Sequence, residues 1–136
     1  MRVLLDTNVL LDVLLNRAPW ATESSAVWQA HEDGRITGHV MACAIADIFY
    51  IARKLTHLET AHQAVRLCLE TFEICAVDRQ ALEQAQSLPG NDFEDNLQIA
   101  CASIAGLDGI VTRDKDGFEA APLAVLTSAE LLAKIQ

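Results

Sequence analysis

No apolar run in this chain approaches the roughly 20 residues that a membrane-spanning helix needs. No leader-like succession of basic, apolar and small residues opens it either, because strand-like and acidic residues arrive at once. A cytoplasmic protein that makes no membrane contact is the expectation. Cys43, Cys68, Cys75 and Cys101 form no Cys-x-x-Cys pair, and no two histidines stand nearby at zinc spacing. All four thiols read as small, reduced core residues. His31, His39, His57 and His62 are scattered and read as structural or solvent-facing. Cations are scarce: 10 Lys and Arg stand against 19 Asp and Glu, a formal net charge of −9. Nucleic acid repels such a surface, so composition argues against broad binding to its backbone. Two escapes exist: acids gathered at a metal site, or a few cations clustered beside one. Internal repeats, low-complexity tracts and linkers are all missing.

What remains is a chain of 136 residues, 51% hydrophobic, long enough for one domain (1–136) with a core that needs no covalent staples. Short apolar strands are expected at 2–6, 35–40, 72–77 and 109–112, with a fifth at 123–126. Helical spacing marks 7–16, 21–33, 42–54, 59–72, 79–87, 92–105 and 128–135. Ile45, Ile48, Phe49 and Ala52 fall at i, i+3, i+4 and i+7, as do Leu97, Ala100, Cys101 and Ile104. Alternating strands and helices predict parallel strands with right-handed helical crossovers. The fold class is α/β, a three-layer α/β/α sandwich with a central parallel sheet of four or five strands. In such sheets, sites lie outside the carboxyl ends of the strands.

Four aspartates fall where that geometry matters. Asp6 closes the first strand, in MRVLLDTNVLLDVLLNR, and Asp114 follows the fourth, in IVTRDKDGF. Asp47 lies in the helix after strand two and Asp95 in the first turn of the helix before strand four. Each has an ordinary reading. Asp6 or Thr7 suits a helix cap, Asp92 and Asp95 have the spacing of a capping pair, and Asp95 suits the helix dipole. Asp47 reads as part of a solvated face beside Tyr50 and Lys54. Asp114 and Asp116 read as turn residues near Gly117. Taken together, the four would crowd one sheet edge. Crowded carboxylates repel each other and raise their own pKa values, and a hard divalent cation removes that cost. Such a cluster suits metal-assisted phosphodiester hydrolysis.

LLDTNVLLDVLL, AIADIFYIARK, DFEDNLQIACA and IVTRDKDGF, in that order, resemble the motifs of PIN-domain ribonucleases, above all the toxins of bacterial type II toxin–antitoxin pairs. The resemblance implies that Asp6, Asp95 and Asp114 hold Mg²⁺ or Mn²⁺. It puts Asp47 in the place of the second catalytic acid, where the wider family more often has Glu, and implies contact through a bridging water. Thr7, Asn8 and Thr112 are implied as supporting residues. Asp116 is a supplementary ligand or a turn residue, Asp92 a cap, and Asp12 a solvated helix position. The implied reaction is in-line hydrolysis of RNA.

Lys54, on the helical face of Asp47 and Tyr50, is the candidate phosphate contact, with Arg53, Arg113 and Lys115 completing a local basic rim. Tyr50 is either a base-stacking platform or a partly buried helix residue. Arg17 and Arg66 read as ordinary surface charges. The resemblance also implies a homodimer and an antitoxin partner, docking over 21–34 and 57–72 with Trp20 or Trp28 as anchor. Three other classes stay open at this point. One is a PIN-like binding module without activity. A haloacid-dehalogenase-like phosphatase would need an acid at Asn8. A phosphoacceptor receiver domain would need a second acid after strand one.

Overall fold

The first strand, β1 (Arg2–Leu5), takes the centre of a five-stranded sheet, because Val3, Leu4 and Leu5 are apolar on both faces and are buried on both. The computed structural model describes residues 1–136. After β1 come α1 (Thr7–Leu14), α2 (Ala21–Glu32), β2 (Thr37–Met41), α3 (Ala42–Leu55) and α4 (Leu58–Thr71). Then follow β3 (Glu73–Cys75), α5 (Arg79–Ser87), α6 (Phe93–Ile104) and β4 (Gly109–Val111). A short 3-10 turn at Asp116–Phe118 leads to β5 (Ala124–Leu126) and α7 (Ser128–Lys134). Strand order is β3-β2-β1-β4-β5 and every pair is parallel. The α/β/α expectation holds, with five strands.

Order reverses at β1, whose neighbours are β2 on one side and β4 on the other. Helical crossovers carry the chain outward from β1 through α1–α4 and back across the sheet through α5 and α6. α3 packs on α4, α5 on α6, and α2 on both α1 and α7. One cluster of 32 buried apolar residues runs from Val3 to Leu131 and ties both helical layers to the sheet.

Register decides the rest. Leu5 lies opposite Val111, and Asp6 N extends the ladder by donating to Val111 O at 2.9 Å. Asp6 is thereby brought beside Thr112, at the carboxyl edge where the strand order reverses. Such a switch point leaves a crevice between oppositely directed connections.

Several local expectations change. The first helix stops at Leu14 rather than residue 16, because Asn16 turns into the left-handed region at φ 50°. Cys68, Cys75 and Cys101 are buried, but Cys43 is exposed at the start of α3. Ile104 is exposed, while Gln98 takes a buried place in α6. Tyr50 is 66% exposed rather than partly buried. Trp28 lies in the core, edge-on to Phe72 at 4.7 Å between ring centroids, so it is no surface anchor. His31 serves structure: Gly38 N donates to its Nδ1 at 2.9 Å, and its Nε2 meets Thr71 O at 2.6 Å.

Candidate metal centre

Asp6 occupies the N-cap position of α1, yet its side chain does not cap. Gln98 Nε2 donates to Oδ1 at 2.9 Å, and Thr112 Oγ1 donates to Oδ2 at 2.8 Å. The carboxylate is buried, at 9% exposure, and aimed across the sheet edge rather than along its own helix. The capping reading of Asp6 therefore fails. Two donors fix an anion in one orientation, as a ligand must be fixed.

Thr112 also accepts from Asp114 N at 3.2 Å, so one hydroxyl joins Asp6 to the backbone of Asp114. Asp114 Oδ1 accepts from Asp116 N at 3.1 Å, which tightens the turn after β4. Across the crevice, α6 begins with Asp92, whose Oδ1 caps Asp95 N at 3.1 Å as expected. Asn96 Nδ2 holds Gly90 O at 2.9 Å and so pins the loop that returns α6 to the sheet edge. Gly117 passes so close to Asp95 that a β-carbon there would strike its carboxylate. On the remaining side, α3 buries Ala44, Ile48 and Ala52, which turns Asp47 and Ile51 into the crevice.

The result is a cavity of about 450 Å³. Six carboxylates line it, those of Asp6, Asp47, Asp92, Glu94, Asp95 and Asp114, together with Thr7, Asn8, Ile51 and Phe118. No Lys, Arg or His is among the lining residues. The consequence is electrostatic. Partial burial and then the neighbouring Asp47, Asp6 and Asp92 push the Glu94 carboxyl up to about 7. Partial burial and then Asp92, Asp6 and Asp114 push Asp95 up to about 6. A larger depression, about 580 Å³ beside α5, is lined by Val77, Asp78, Arg79, Leu82, Glu83 and Gln86; it holds only two acids, of which Glu83 is paired with Arg79.

A donor set made of carboxylate oxygen fits a hard divalent cation such as Mg²⁺ or Mn²⁺, and does not suit one that prefers nitrogen or sulfur. No three of these acids converge tightly enough to hold an ion as they stand.

Of the residues expected from sequence, Asp6, Asp47, Asp95, Asp114 and Asn8 meet in this cavity. Thr112 stands behind it, through Asp6. Asp116 does not line it and faces the neighbouring groove with Pro89 and Glu119. Lys54 is exposed near the end of α3, outside the cavity wall. Glu94 and Gln98 were missed. Their only sequence signals are an extra acid beside Asp95 and a lone amide inside the apolar run Leu97–Ala102.

Half of the basic rim, Arg113 and Lys115, is spent on the protein itself. Asp12, expected to be solvated, is fully buried. Arg17 Nε lies 2.8 Å from its Oδ1 and Arg113 Nε 3.2 Å from its Oδ2, the latter without hydrogen-bond alignment. Arg113 also lies over the Trp20 ring, 3.7 Å from its centre, and Lys115 Nζ pairs with Glu130 at 2.8 Å. Arg17 is therefore no ordinary surface charge, and Arg113 and Lys115 do not stand free at the cavity mouth. A burial that large is affordable for a carboxylate only when it is paired.

The sequence profile of the PIN domain family matches residues 2–116. No curated protein matches the chain. Among solved structures, the chain is similar to VapC20 of Mycobacterium tuberculosis, a toxin that cleaves the sarcin–ricin loop. That match has 14% identity, a TM-score of 0.72, and covers 90% of this chain and 96% of that one. A toxin–antitoxin complex from Klebsiella pneumoniae matches at 23% identity with a TM-score of 0.68, over 93% of this chain and 97% of that one. DNA-bound VapBC from Salmonella typhimurium matches at 17% identity with a TM-score of 0.71, over 94% and 98%.

Proposed function

This chain belongs to the PIN domain family, and from that premise we propose that it is a ribonuclease that hydrolyses RNA phosphodiester bonds with Mg²⁺ or Mn²⁺. The observation that carries the reading is the cavity of six carboxylates with no cation in its wall. Such a site is costly without a positive ligand, and PIN domains are in general metal-dependent ribonucleases. Asp6, Asp95 and Asp114 are the residues that would hold the cation. When bound, it neutralises charge on a phosphoryl oxygen and makes a water acidic enough to attack near neutral pH.

The chain's own groups do the positioning. Gln98 and Thr112 keep Asp6 in one rotamer. Asp47 orients the attacking water, and Glu94 closes the ring beside it. Attack in line forms the new oxygen–phosphorus bond as the bond to the 3′ oxygen breaks. The proton ends on that oxygen, leaving 5′-phosphate and 3′-hydroxyl ends. Lys54, exposed near the end of α3, is the cation proposed to meet the phosphate backbone outside the cavity.

The solved relatives are toxins or toxin–antitoxin complexes. On that support we assign this chain the role of a type II toxin, acting in the cytoplasm as a homodimer and silenced by an antitoxin. No helix is long and apolar enough to cross a membrane.

The test is cleavage of RNA by purified protein with Mn²⁺ or Mg²⁺ against EDTA, beside Asp6→Asn and Asp114→Asn. Metal-dependent cleavage that disappears in both variants supports the reading. Cleavage unchanged in the variants, or no cleavage together with no metal binding by calorimetry, overturns it. The second of those results favours a binding module.

A further inference from the structure

Asp12 is a fully buried carboxylate that touches neither the cavity nor solvent. We infer that Asp12 is a positioning residue, which sets the cation affinity of the acidic cavity by holding Arg113, and through it Asp114, against α1. This inference rests on the metal-dependent reading above.

The geometry is as follows. Asp12 and Asn8 stand four residues apart, on one face of α1. Arg17 joins them, with Nε 2.8 Å from Asp12 Oδ1 and a terminal guanidinium nitrogen donating to Asn8 Oδ1 at 3.3 Å. Asn8 lines the cavity. On its other oxygen Asp12 meets Arg113 at 3.2 Å, and Arg113 directly precedes Asp114 in the chain. The Arg113 guanidinium is held between that carboxylate and the Trp20 ring. In the turn that follows β4, Thr112 is anchored to Asp6 and the next residue, Arg113, to Asp12.

Asp114 is exposed, and its carboxylate has one hydrogen bond, from Asp116 N. Its position thus depends on the two anchors that precede it. The stack on Trp20 fixes the plane of the guanidinium and the ion pair with Asp12 its place, which a lysine would not reproduce. The bland alternative is an ion pair that stabilises the fold and nothing else.

The experiment separates the two. Mn²⁺ affinity by calorimetry, thermal melting, and kcat and KM for RNA cleavage are measured on the full chain and on Asp12→Asn, Arg113→Lys and Leu131→Ala. The last shortens a fully buried side chain of α7, outside the cavity wall. Expected is about tenfold weaker Mn²⁺ binding in Asp12→Asn and Arg113→Lys, at the lower end of what outer-shell changes cost. A similar loss in kcat with KM unchanged accompanies it. Leu131→Ala melts earlier yet binds Mn²⁺ normally. If Asp12→Asn does not fold, Arg113→Lys gives the answer alone. A folded variant that binds Mn²⁺ as tightly as the parent overturns the inference and leaves the nuclease reading intact. A parent chain that neither binds Mn²⁺ nor cleaves RNA overturns both.

Discussion

Gln98 Nε2 reaches Asp6 Oδ1 at 2.9 Å, a contact between two buried side chains 92 residues apart in the chain. Replacing the amide by an apolar group of similar size leaves that oxygen without a partner. Gln98→Leu is expected to lower RNA cleavage about 10–100-fold, as loss of an outer-shell partner does. The unpaired carboxylate costs about 1–3 kcal/mol of stability in metal-free protein. Initial rates and denaturant midpoints of both proteins check this.

Thr112 offers a matched pair of variants. Thr112→Val keeps the shape and removes the hydroxyl that joins Asp6 to Asp114 N. Thr112→Ser keeps the hydroxyl. Cleavage and Mn²⁺ affinity should fall in the first and persist in the second. Equal activity in both would mean the hydroxyl has no part.

Stability should fall with rising pH in metal-free protein. Glu94 and Asp95 hold their protons up to about 7 and about 6 in the fold, against ordinary values of 4.5 and 3.8. Below the ordinary values both states are protonated and the two acids contribute no difference. Above them the unfolded chain has released protons that the folded chain still holds, so unfolding gains. The penalty is complete once pH passes about 7. Melting temperature should therefore decline across that window, less steeply in Asp95→Asn. Saturating Mn²⁺ at pH 8 should restore it, because the cation removes the repulsion and binds only the deprotonated acids. Melting curves across that range, with and without Mn²⁺, decide it.

Gly117→Ala places a β-carbon against the Asp95 carboxylate. Gly117 needs no left-handed backbone, so the change strains no dihedral. Either the carboxylate or the turn must move. Mn²⁺ affinity is expected to weaken about tenfold, while stability changes by less than about 1 kcal/mol, the alanine offsetting some strain by stiffening the unfolded chain. Calorimetry and a denaturant titration read the two effects separately.

The layered fold was legible because Val3–Leu5 and Ile110–Val111 are short and apolar on both sides, as only parallel buried strands are. Asp6 and Asp114 were legible because strand ends are where such sheets place sites. Gln98 was hidden, since α6 is buried all round from Asn96 to Ala102 and so has no polar face on which an amide stands out. Asp12 misled for a different reason. Its partners lie five residues and most of the chain away, at Arg17 and Arg113, and a helical wheel sees neither. Arg113 is expected at the cavity mouth for being next to Asp114, but its guanidinium is drawn away to Asp12 and the Trp20 ring.

The Thr112–Asp6 hydrogen bond spans 106 residues. Chain order therefore imposes a timetable. Asp6 leaves the ribosome long before Thr112, Asp114 and the strand that carries them, and contacts of such long range form late. A nascent chain has some of the acids but no cavity. If its work is to cut RNA, the protein is inert while it is still being made on an RNA machine, and becomes active only after synthesis has passed the segment that closes the site.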